Sequence, residues 1–393
     1  MNCKFNLYLL MYKVISVSSP SFDEPANTGW KKPVKKFLKK YTKIDRFQEP
    51  SRSWRVYEKE NLEKYFGKVI CVSTIKKDSV IKTLNKYRNT VEYIRWYPHS
   101  ERCTKEEYDN ITNQSKEINL KYLTNSPDGF IYVQSKDKAF TKWQQNNVRC
   151  PKFFTFDNDQ DFYAKLELNK FEYPYMIRVN NAVSGEDSFL IRSKLDVKPS
   201  LRKIDLANKN RIGINRKMMC IEFINTIDHE RNANISFRLH VAGDKVISGY
   251  ARVVDRDNWL AITAGSFNIK QIDNWIYYNM LCQKLMVERE REIVQAVKTL
   301  NLNHQGVDVV LNQDSNELYF LEVQPTYATG FSKVGYCGYF PPFYNPSDPE
   351  LVKFILQNKS ELEQKIPLYY FNWLDKNNHF KEVFKELKRH VWS

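Results

Sequence analysis

The sequence lacks the short motifs by which several enzyme classes are recognised. It contains no Gly-x-Ser-x-Gly, no Walker A pattern and no His-Glu-x-x-His, so nothing supports a serine hydrolase, a P-loop enzyme or a zinc protease. A Gly-x-Gly-x-x-Gly pattern is also missing, and with it any support for a dinucleotide pocket. None of the six histidines is spaced from a cysteine or a carboxylate as in a zinc or nucleophilic site. We therefore assign no histidine to catalysis.

Cysteine pairs and long apolar runs are missing as well. The seven cysteines are scattered without a Cys-x-x-Cys pair, which favours free thiols in a reducing compartment, so we expect a cytoplasmic protein. The apolar run Leu7–Met11 is too short to cross a membrane. We predict a buried strand at Tyr12–Ser16 and no membrane span later in the chain.

Positive charge and aromatic residues are plentiful. The 393 residues carry a net charge of +15, and 42% of them are hydrophobic and 14% aromatic. This composition predicts a globular protein of two or three domains whose partners are anionic: nucleotides, acidic peptides, anionic glycans or nucleic acid. Residues 68–96 have a strand-helix-strand pattern, which predicts the start of a small parallel sheet.

Two apolar runs near the end of the chain each contain one carboxylate. Asp308 lies within Gly306–Val310 and Glu322 within Leu321–Pro325, and a polar turn at 312–316 separates the runs. This pattern predicts an antiparallel hairpin that brings the two acids side by side, with Gln324 on the same face as Glu322. Two carboxylates and an amide oxygen would suit Mg²⁺ and a nucleotide phosphate. By itself, the hairpin is equally compatible with two acids that face solvent.

Five blocks between about residues 135 and 331 occur in the order found in one superfamily. They are Ser135–Thr141 with a helical stretch ending at Asn146–Pro151, Tyr173–Arg178 with the polar loop Ser184–Ser188, Met219–Ile224, Ser236–Val241 with Gly249–Arg252, and the hairpin carrying Asp308, Glu322 and Gln324. In this order they resemble the ATP-grasp superfamily, in particular its glutathione synthetase and ribosomal-protein-modifying ligases.

The resemblance implies an α/β (α+β) ATP-grasp fold in which two grasp subdomains clasp a nucleotide. The implied domains are an N-terminal α/β domain (1–130), a small lid subdomain (131–220), a second grasp subdomain with the metal site (221–335) and a helical tail (336–393). Within the second subdomain, the apolar periodicity from Asp273 to Leu300 predicts one long helix.

The resemblance also implies a role for each site residue. Asp308, Glu322 and Gln324 would hold Mg²⁺, with Mn²⁺ as an alternative, and Arg238 and Arg252 would be the catalytic cations. The implied ATP-binding residues are Lys138, Arg178, Ser184, Gly185, Glu222, Phe223 and Ile224.

Three features depart from the family's pattern. Gln324 stands where Asn is usual, and it offers the same amide oxygen on a longer stem. Arg178 stands where Lys is usual, and a guanidinium binds phosphate bidentately. Lys170 and Lys194 are alternatives to Arg178. The polar loop has only one glycine, Gly185, fewer than the family's phosphate-covering loop often carries.

The implied activity is an ATP- and Mg²⁺-dependent ligation of a carboxylate to an amine through an acylphosphate, releasing ADP and phosphate. Two alternatives are a kinase of an anionic small molecule and a non-catalytic nucleotide- or nucleic-acid-binding protein of the same fold. The implied partners are ATP, an unknown carboxylate acceptor such as an acidic peptide or anionic metabolite, and an amine. A homodimer fits the family, and nucleic acid is not favoured, although the charge leaves it open.

Overall fold

The computed structural model describes most of the central part of the chain. It covers residues 14–18, 69–73, 77–87, 93–97, 121–180, 187–210, 217–257 and 272–324, with the single residues Asp109, Asn113, Glu117, Glu386 and Arg389. The predicted tail (336–393) lies outside the described residues except for Glu386 and Arg389, which are both helical.

A parallel sheet forms the N-terminal part. Its strands are β1 (Val14–Ser18), β2 (Val69–Ser73), β3 (Tyr93–Tyr97) and β4 (Lys121–Thr124), with helix α1 (Lys77–Tyr87) between β2 and β3. The sheet order is β2-β1-β3-β4. The predicted strand-helix-strand unit is confirmed, and β1 lies between its two strands. Two short helices follow, α2 (Phe130–Gln134) and α3 (Lys136–Gln145).

The second sheet, the antiparallel four-stranded sheet, has the order β5-β8-β6-β7. Its elements in chain order are β5 (Phe153–Phe156), α4 (Asp159–Leu168), β6 (Tyr175–Val179), β7 (Ser188–Ile191), α5 (Lys194–Asn210) and β8 (Met218–Glu222). Successive residues of β6 point to opposite faces. Ile177 and Val179 join an apolar core with Phe162 of α4 and Leu201 of α5, which leaves Arg178 on the other face.

The third sheet is antiparallel and positions the acids predicted from the hairpin. It contains β9 (Ile227–Asp228), β10 (Ala233–Ala242), β11 (Lys245–Asp255), β12 (His304–Leu311) and β13 (Leu318–Gln324), with α6 (Ile272–Glu288) and α7 (Glu290–Thr299) inserted after β11. The order is β11-β10-β12-β13, and β9 pairs with β10. The predicted antiparallel hairpin β12–β13 is confirmed, and the strands that carry Arg238 and Arg252, β10 and β11, are also paired antiparallel.

Strict alternation divides the third sheet into an apolar and a polar face. Phe237 and Leu239 of β10 and Val307 and Val309 of β12 enter one large hydrophobic core. The residues between them on the strands therefore face the opposite side, where a polar site can form.

Helix α3 belongs to this same large core. Phe140 and Trp143 are fully buried in it, and the Trp143 indole Nε1 donates a 2.7 Å hydrogen bond to the carbonyl oxygen of Ala296 in α7. A buried tryptophan with a satisfied N–H contributes apolar contact without stranding a polar atom. The middle of α3 is thus fixed to α7, although its residues fall within the predicted 131–220 lid.

The prediction of one helix from Asp273 to Leu300 is wrong. The structure has two helices, α6 and α7, separated at Arg289, whose φ of −114° and ψ of 15° leave the helical region. The Glu290 carboxylate accepts a 3.0 Å hydrogen bond from the backbone N–H of Val246 in β11. This tertiary contact fixes the start of α7 over the sheet, and an apolar periodicity cannot reveal it.

The mixed α/β fold class is confirmed by these three sheets and their helices. Among the helices within the described ranges, none is both long and apolar enough to cross a membrane.

Gly129 brings the start of α2 against the end of α7. A Cβ atom at this position would lie 2.4 Å from the carbonyl oxygen of Asn301 and 2.6 Å from that of Leu300. Both obstacles are backbone atoms, which cannot rotate away. A residue without a side chain is therefore required for this approach.

We predict that Gly129→Ala destabilises the protein by about 2 kcal/mol, the usual cost of overpacking a close contact. Gly249→Ala is the matched control, because its Cβ would meet chiefly the terminal Cδ2 atom of Leu239, a flexible side-chain end, at 2.6 Å. Thermal unfolding of the two variants checks this, and an equal loss in both would contradict the backbone explanation.

Candidate functional site

Asp308 is held by two arginines on the polar face of the third sheet. Arg238 binds it with two bonds, from Nε to Oδ1 at 2.6 Å and from Nη2 to Oδ2 at 2.7 Å. Arg252 adds a bond from Nη1 to Oδ2 at 3.3 Å. The register explains this geometry, because Arg238 lies directly opposite Asp308 in the β10–β12 pair. Arg252 reaches it diagonally from β11.

The two guanidinium groups keep the Asp308 carboxylate ionised. Burial by itself would raise the pKa of this carboxyl, since a charge is poorly solvated in the protein interior. The charges and hydrogen bonds of Arg238 and Arg252 outweigh burial, and they hold the pKa of Asp308 well below its usual range. Asp308 is therefore an anion at neutral pH.

Glu322 lies beside Asp308, as the sequence predicts. The two residues are partners in the β12–β13 register. The next pair is Val309 with Phe320, which leaves Leu321 as an extra residue in a β-bulge. Bulges of this kind commonly lie next to functional sites, where they redirect a side chain.

Lys136, at the start of α3, forms an ion pair with Glu322. The distance from its Nζ atom to Oε1 of Glu322 is 2.8 Å, and Lys136 is 8% exposed. Burial lowers the pKa of this ammonium, Glu322 raises it and Arg178 lowers it again, with a net result of about 8. Lys136 therefore lies in the electrostatic field of both the third sheet and Arg178.

The structure brings Arg178 to the site and leaves its two alternatives outside. Arg178 is 7% exposed, and its charge acts on Lys136. Lys170 and Lys194 are both exposed. Arg178 is thus the basic residue that the four-stranded sheet supplies.

The structure does not bring Lys138 to the site. Lys136 and Lys138 are two positions apart in α3, so their side chains point in directions about 200° apart around the helix axis. Lys136 is buried and Lys138 is exposed. Lys136 instead shares one helical face with the buried residues Ala139, Phe140 and Trp143. This spacing of three, four and seven residues was visible in the sequence. It indicates that Lys136, which lies on the apolar face of the helix, enters the site and Lys138 does not.

The predicted ATP-binding residues Glu222, Phe223 and Ile224 lie at or just beyond the end of β8, at the other end of the sheet from Arg178. Glu222 pairs with Tyr175, and Arg178 pairs with Met219, so about 10 Å of strand separates Glu222 from Arg178. The Glu222 carboxylate accepts the backbone N–H of Lys152 at 3.0 Å, which gives it a structural role. Phe223 is partly buried and Ile224 is buried.

Three predicted residues have little or no structural description. Ser184 and Gly185 lie in 181–186, outside the described residues. Gln324 ends β13, where its backbone pairs with Gly306, two positions beyond Glu322. Their assigned roles stay predictions.

The donor chemistry at Asp308 and Glu322 fits a hard divalent cation. Carboxylate oxygens are preferred by Mg²⁺, which takes a few protein ligands and completes its shell with water and substrate phosphates. Among the described residues, no group of three or more His, Cys, Asp or Glu could hold a metal ion by itself. The pair therefore suits a metal that arrives with a phosphate ligand.

Four basic side chains belong to this site. Among the described residues, Arg238 and Arg252 pair with Asp308, Lys136 pairs with Glu322, and the charge of Arg178 acts on Lys136. A cluster of basic side chains creates a positive potential that attracts anions. A multiply charged anion such as a nucleotide phosphate, with its metal, suits that potential.

The chain resembles several solved structures. D-alanine–D-alanine ligase from Bacillus anthracis has a TM-score of 0.48 and 9% identity, and the match covers 90% of this chain and 99% of that one. Biotin carboxylase from Campylobacter jejuni has a TM-score of 0.45 and 11% identity, covering 80% and 66% of the two chains. N5-carboxyaminoimidazole ribonucleotide synthetase from Thermotoga maritima has a TM-score of 0.41 and 12% identity, covering 80% and 68%.

These three structural neighbours are ATP-grasp enzymes, the superfamily that the sequence blocks resemble. No protein-family model matches the sequence, and no curated protein matches it. Since all three TM-scores lie below 0.5, the functional proposal rests on the geometry of the site.

We predict that one lysine of the nucleotide-free, metal-free protein titrates near pH 8. The reason is the buried position of Lys136 beside Arg178, which lowers its pKa to about 8 despite the ion pair with Glu322. NMR of protein labelled with carbon-13 at the lysine ε-carbon measures this directly. The signal should be absent from Lys136→Met, and titration of every lysine near 10.5 would contradict the described environment.

Proposed function

We propose that this protein binds Mg²⁺–ATP between the antiparallel four-stranded sheet (β5-β8-β6-β7) and the third, five-stranded sheet (β9 to β13). It would use the nucleotide as an ADP-forming ATP-grasp ligase. The observation that carries the proposal is the pair of adjacent carboxylates, Asp308 and Glu322, in a cluster with four basic side chains from four different elements, α3, β6, β10 and β11. A surface ion-pair network would not bury Lys136, Arg178 and Asp308.

The chain's own residues match the needs of phosphoryl transfer. Catalysis of this reaction depends mainly on positioning and on neutralising charge around the transferred group. Lys136 and Arg178 would bind phosphate oxygens, and Glu222 would lie at the base end of the nucleotide. Arg178 on β6 and Glu222 on the neighbouring strand β8 are far enough apart along the sheet for the phosphates to lie near one residue and the base near the other.

Arg238 and Arg252 would hold the reacting centre from the sheet. Their guanidinium groups are fixed by Asp308, so they would face developing negative charge without reorganising. Bound Mg²⁺ would supply further neutralisation of phosphate oxygens at Asp308 and Glu322. An acceptor carboxylate would attack the γ-phosphorus and displace ADP, and an amine would then displace phosphate from the acyl carbon.

Metal and nucleotide should bind together rather than separately. Without nucleotide, a metal at Glu322 would face the Lys136 ammonium 2.8 Å from that carboxylate. Without metal, the phosphates would face two carboxylates. Each component removes the repulsion that the other meets, so their affinities should be coupled.

We predict that Lys136→Met raises the Kd for Mg²⁺–ATP about tenfold or more, because a charge-assisted bond to phosphate is lost. Lys138→Met, an exposed change on the same helix, should alter the Kd little. Calorimetry of both variants decides between the two lysines. A loss of affinity confined to Lys138→Met would overturn the placement of the phosphates.

Glu322→Ala tests the metal in the same assay. We expect it to remove most of the dependence of nucleotide affinity on Mg²⁺, whereas the unaltered protein should bind ATP far more weakly in EDTA. An unaltered protein that binds no Mg²⁺–ATP under either condition would overturn the proposed function.

Product analysis separates the ligase from the alternatives. Screening carboxylate acceptors with amines should yield ADP and a new amide. A phosphorylated acceptor that persists would indicate the kinase, and formation of AMP would contradict both. Tight, salt-sensitive RNA or DNA binding without turnover would favour the binding protein.

A further inference from the structure

Asn180 is a fully buried polar residue to which the proposed chemistry assigns no role. It follows the last residue of β6 and lies two positions after Arg178. Its backbone N–H donates to the carbonyl oxygen of Lys217 at 2.9 Å, so the residue is fixed to the four-stranded sheet. Its side chain, in contrast, points to the start of α3.

The Asn180 amide makes three hydrogen bonds with the first turn of α3. Its Oδ1 accepts the backbone N–H of Asp137 at 3.0 Å. Its Nδ2 donates to Ser135 Oγ at 3.1 Å and to Asp137 Oδ1 at 2.7 Å. Ser135 Oγ also donates to Asp137 Oδ1 at 2.6 Å, so the three side chains form one network.

This network replaces the usual cap of the helix. A helix normally satisfies the N–H of its second or third residue with the side chain of its own N-cap. Ser135, the N-cap of α3, makes no such bond. Asn180 instead supplies the acceptor to Asp137, the second helical residue, from 43 positions along the chain.

Lys136 lies between the two residues that Asn180 contacts. Its ammonium pairs with Glu322 of the five-stranded sheet, whereas Arg178 is on the same strand as Asn180. Asn180 therefore joins the backbone that carries Arg178 to the backbone that carries Lys136. Lys136 comes from helix α3 and Arg178 from strand β6, and this amide is a direct polar link between the two segments.

We propose that Asn180 is a positioning residue that fixes the spacing of Lys136 and Arg178 and thereby sets affinity for a nucleotide polyphosphate. The inference rests on the proposed function, because the two cations matter together only if phosphate lies between them. Asn180 itself acts through the helix cap and touches no phosphate. Bidentate and clustered phosphate contacts depend on such preorganisation.

The matched control is Asn158, the N-cap of α4. Its side chain accepts the backbone N–H of Asp161 at 3.0 Å, on the side of the four-stranded sheet away from the site. Asn158→Ala removes a helix cap of the same residue type without touching α3. Asn180→Ala should lower the melting temperature more, because it removes three hydrogen bonds of a buried side chain, whereas Asn158 is exposed and makes one cap bond.

The test compares Asn180→Ala with Asn158→Ala in calorimetry with Mg²⁺ and the non-hydrolysable ATP analogue AMP-PNP. We expect Asn180→Ala to raise the Kd about tenfold, and Asn158→Ala to change it less than about twofold. Hydrogen exchange of the 136–139 amides should speed up only in Asn180→Ala. Equal Kd values in the two variants, or unchanged exchange at 136–139, would overturn the proposal.

Exchanging the side chains of residues 137 and 180 tests whether the lost affinity can be restored. Asn180→Asp places a carboxylate against Asp137 Oδ1, where the Nδ2 donor was 2.7 Å away, so affinity should fall. The double variant D137N/N180D restores one amide and one carboxylate across the contact and should recover the Kd. Failure of the rescue would contradict the specific pairing.

The exchange measurement needs no nucleotide, so it separates two kinds of failure. If the unaltered protein binds no AMP-PNP, the proposed function fails and the positioning role fails with it, while the cap is still judged by exchange at 136–139. If binding is normal and insensitive to Asn180, only the positioning role is overturned.

Discussion

The bidentate pair of Asp308 and Arg238 is the interaction on which the arrangement of the third sheet depends. A carboxylate at this depth is tolerated only with matched donors, since burying an isolated charge is costly. The pair also fixes register, because a shift of one residue would move Arg238 into the core that holds Phe237 and Leu239. Apolar alternation on one face and ion pairing on the other therefore specify the same alignment of β10 and β12.

The site is distributed over elements that are far apart in sequence. Arg238, Arg252, Asp308 and Glu322 come from the third sheet, whereas Lys136 comes from α3 and Arg178 from β6. Both are added from outside the sheet. The hydrogen bond from Trp143 to Ala296 fixes α3 to α7, and the start of the same helix carries Lys136, which pairs with Glu322.

The sequence predicts the parts of the site that depend on alternation. Strand period places Asp308 beside Glu322 and gives Arg178 a face opposite Ile177, and both follow without tertiary information. The choice of Lys138 over Lys136 followed a family block, whereas the helical period of Ala139, Phe140 and Trp143 selects Lys136. The division between α6 and α7 could not be predicted, because the hydrogen bond from Val246 to Glu290 that fixes it joins residues 44 positions apart.

The cap of α3 shows why a local reading of this segment has limits. Ser135 followed by charged residues resembles an ordinary helix start, yet its hydroxyl is committed to Asp137 and Asn180. The acceptor for the backbone N–H of Asp137 is Asn180, which follows β6. The conformation of 135–138 therefore depends on how β6 packs. Orientation of Lys136 is consequently a property of the assembled cleft rather than of its helix. A change that moved α3 away from β6 would therefore displace Lys136 relative to Arg178, even if it left every charged residue in the sequence unaltered.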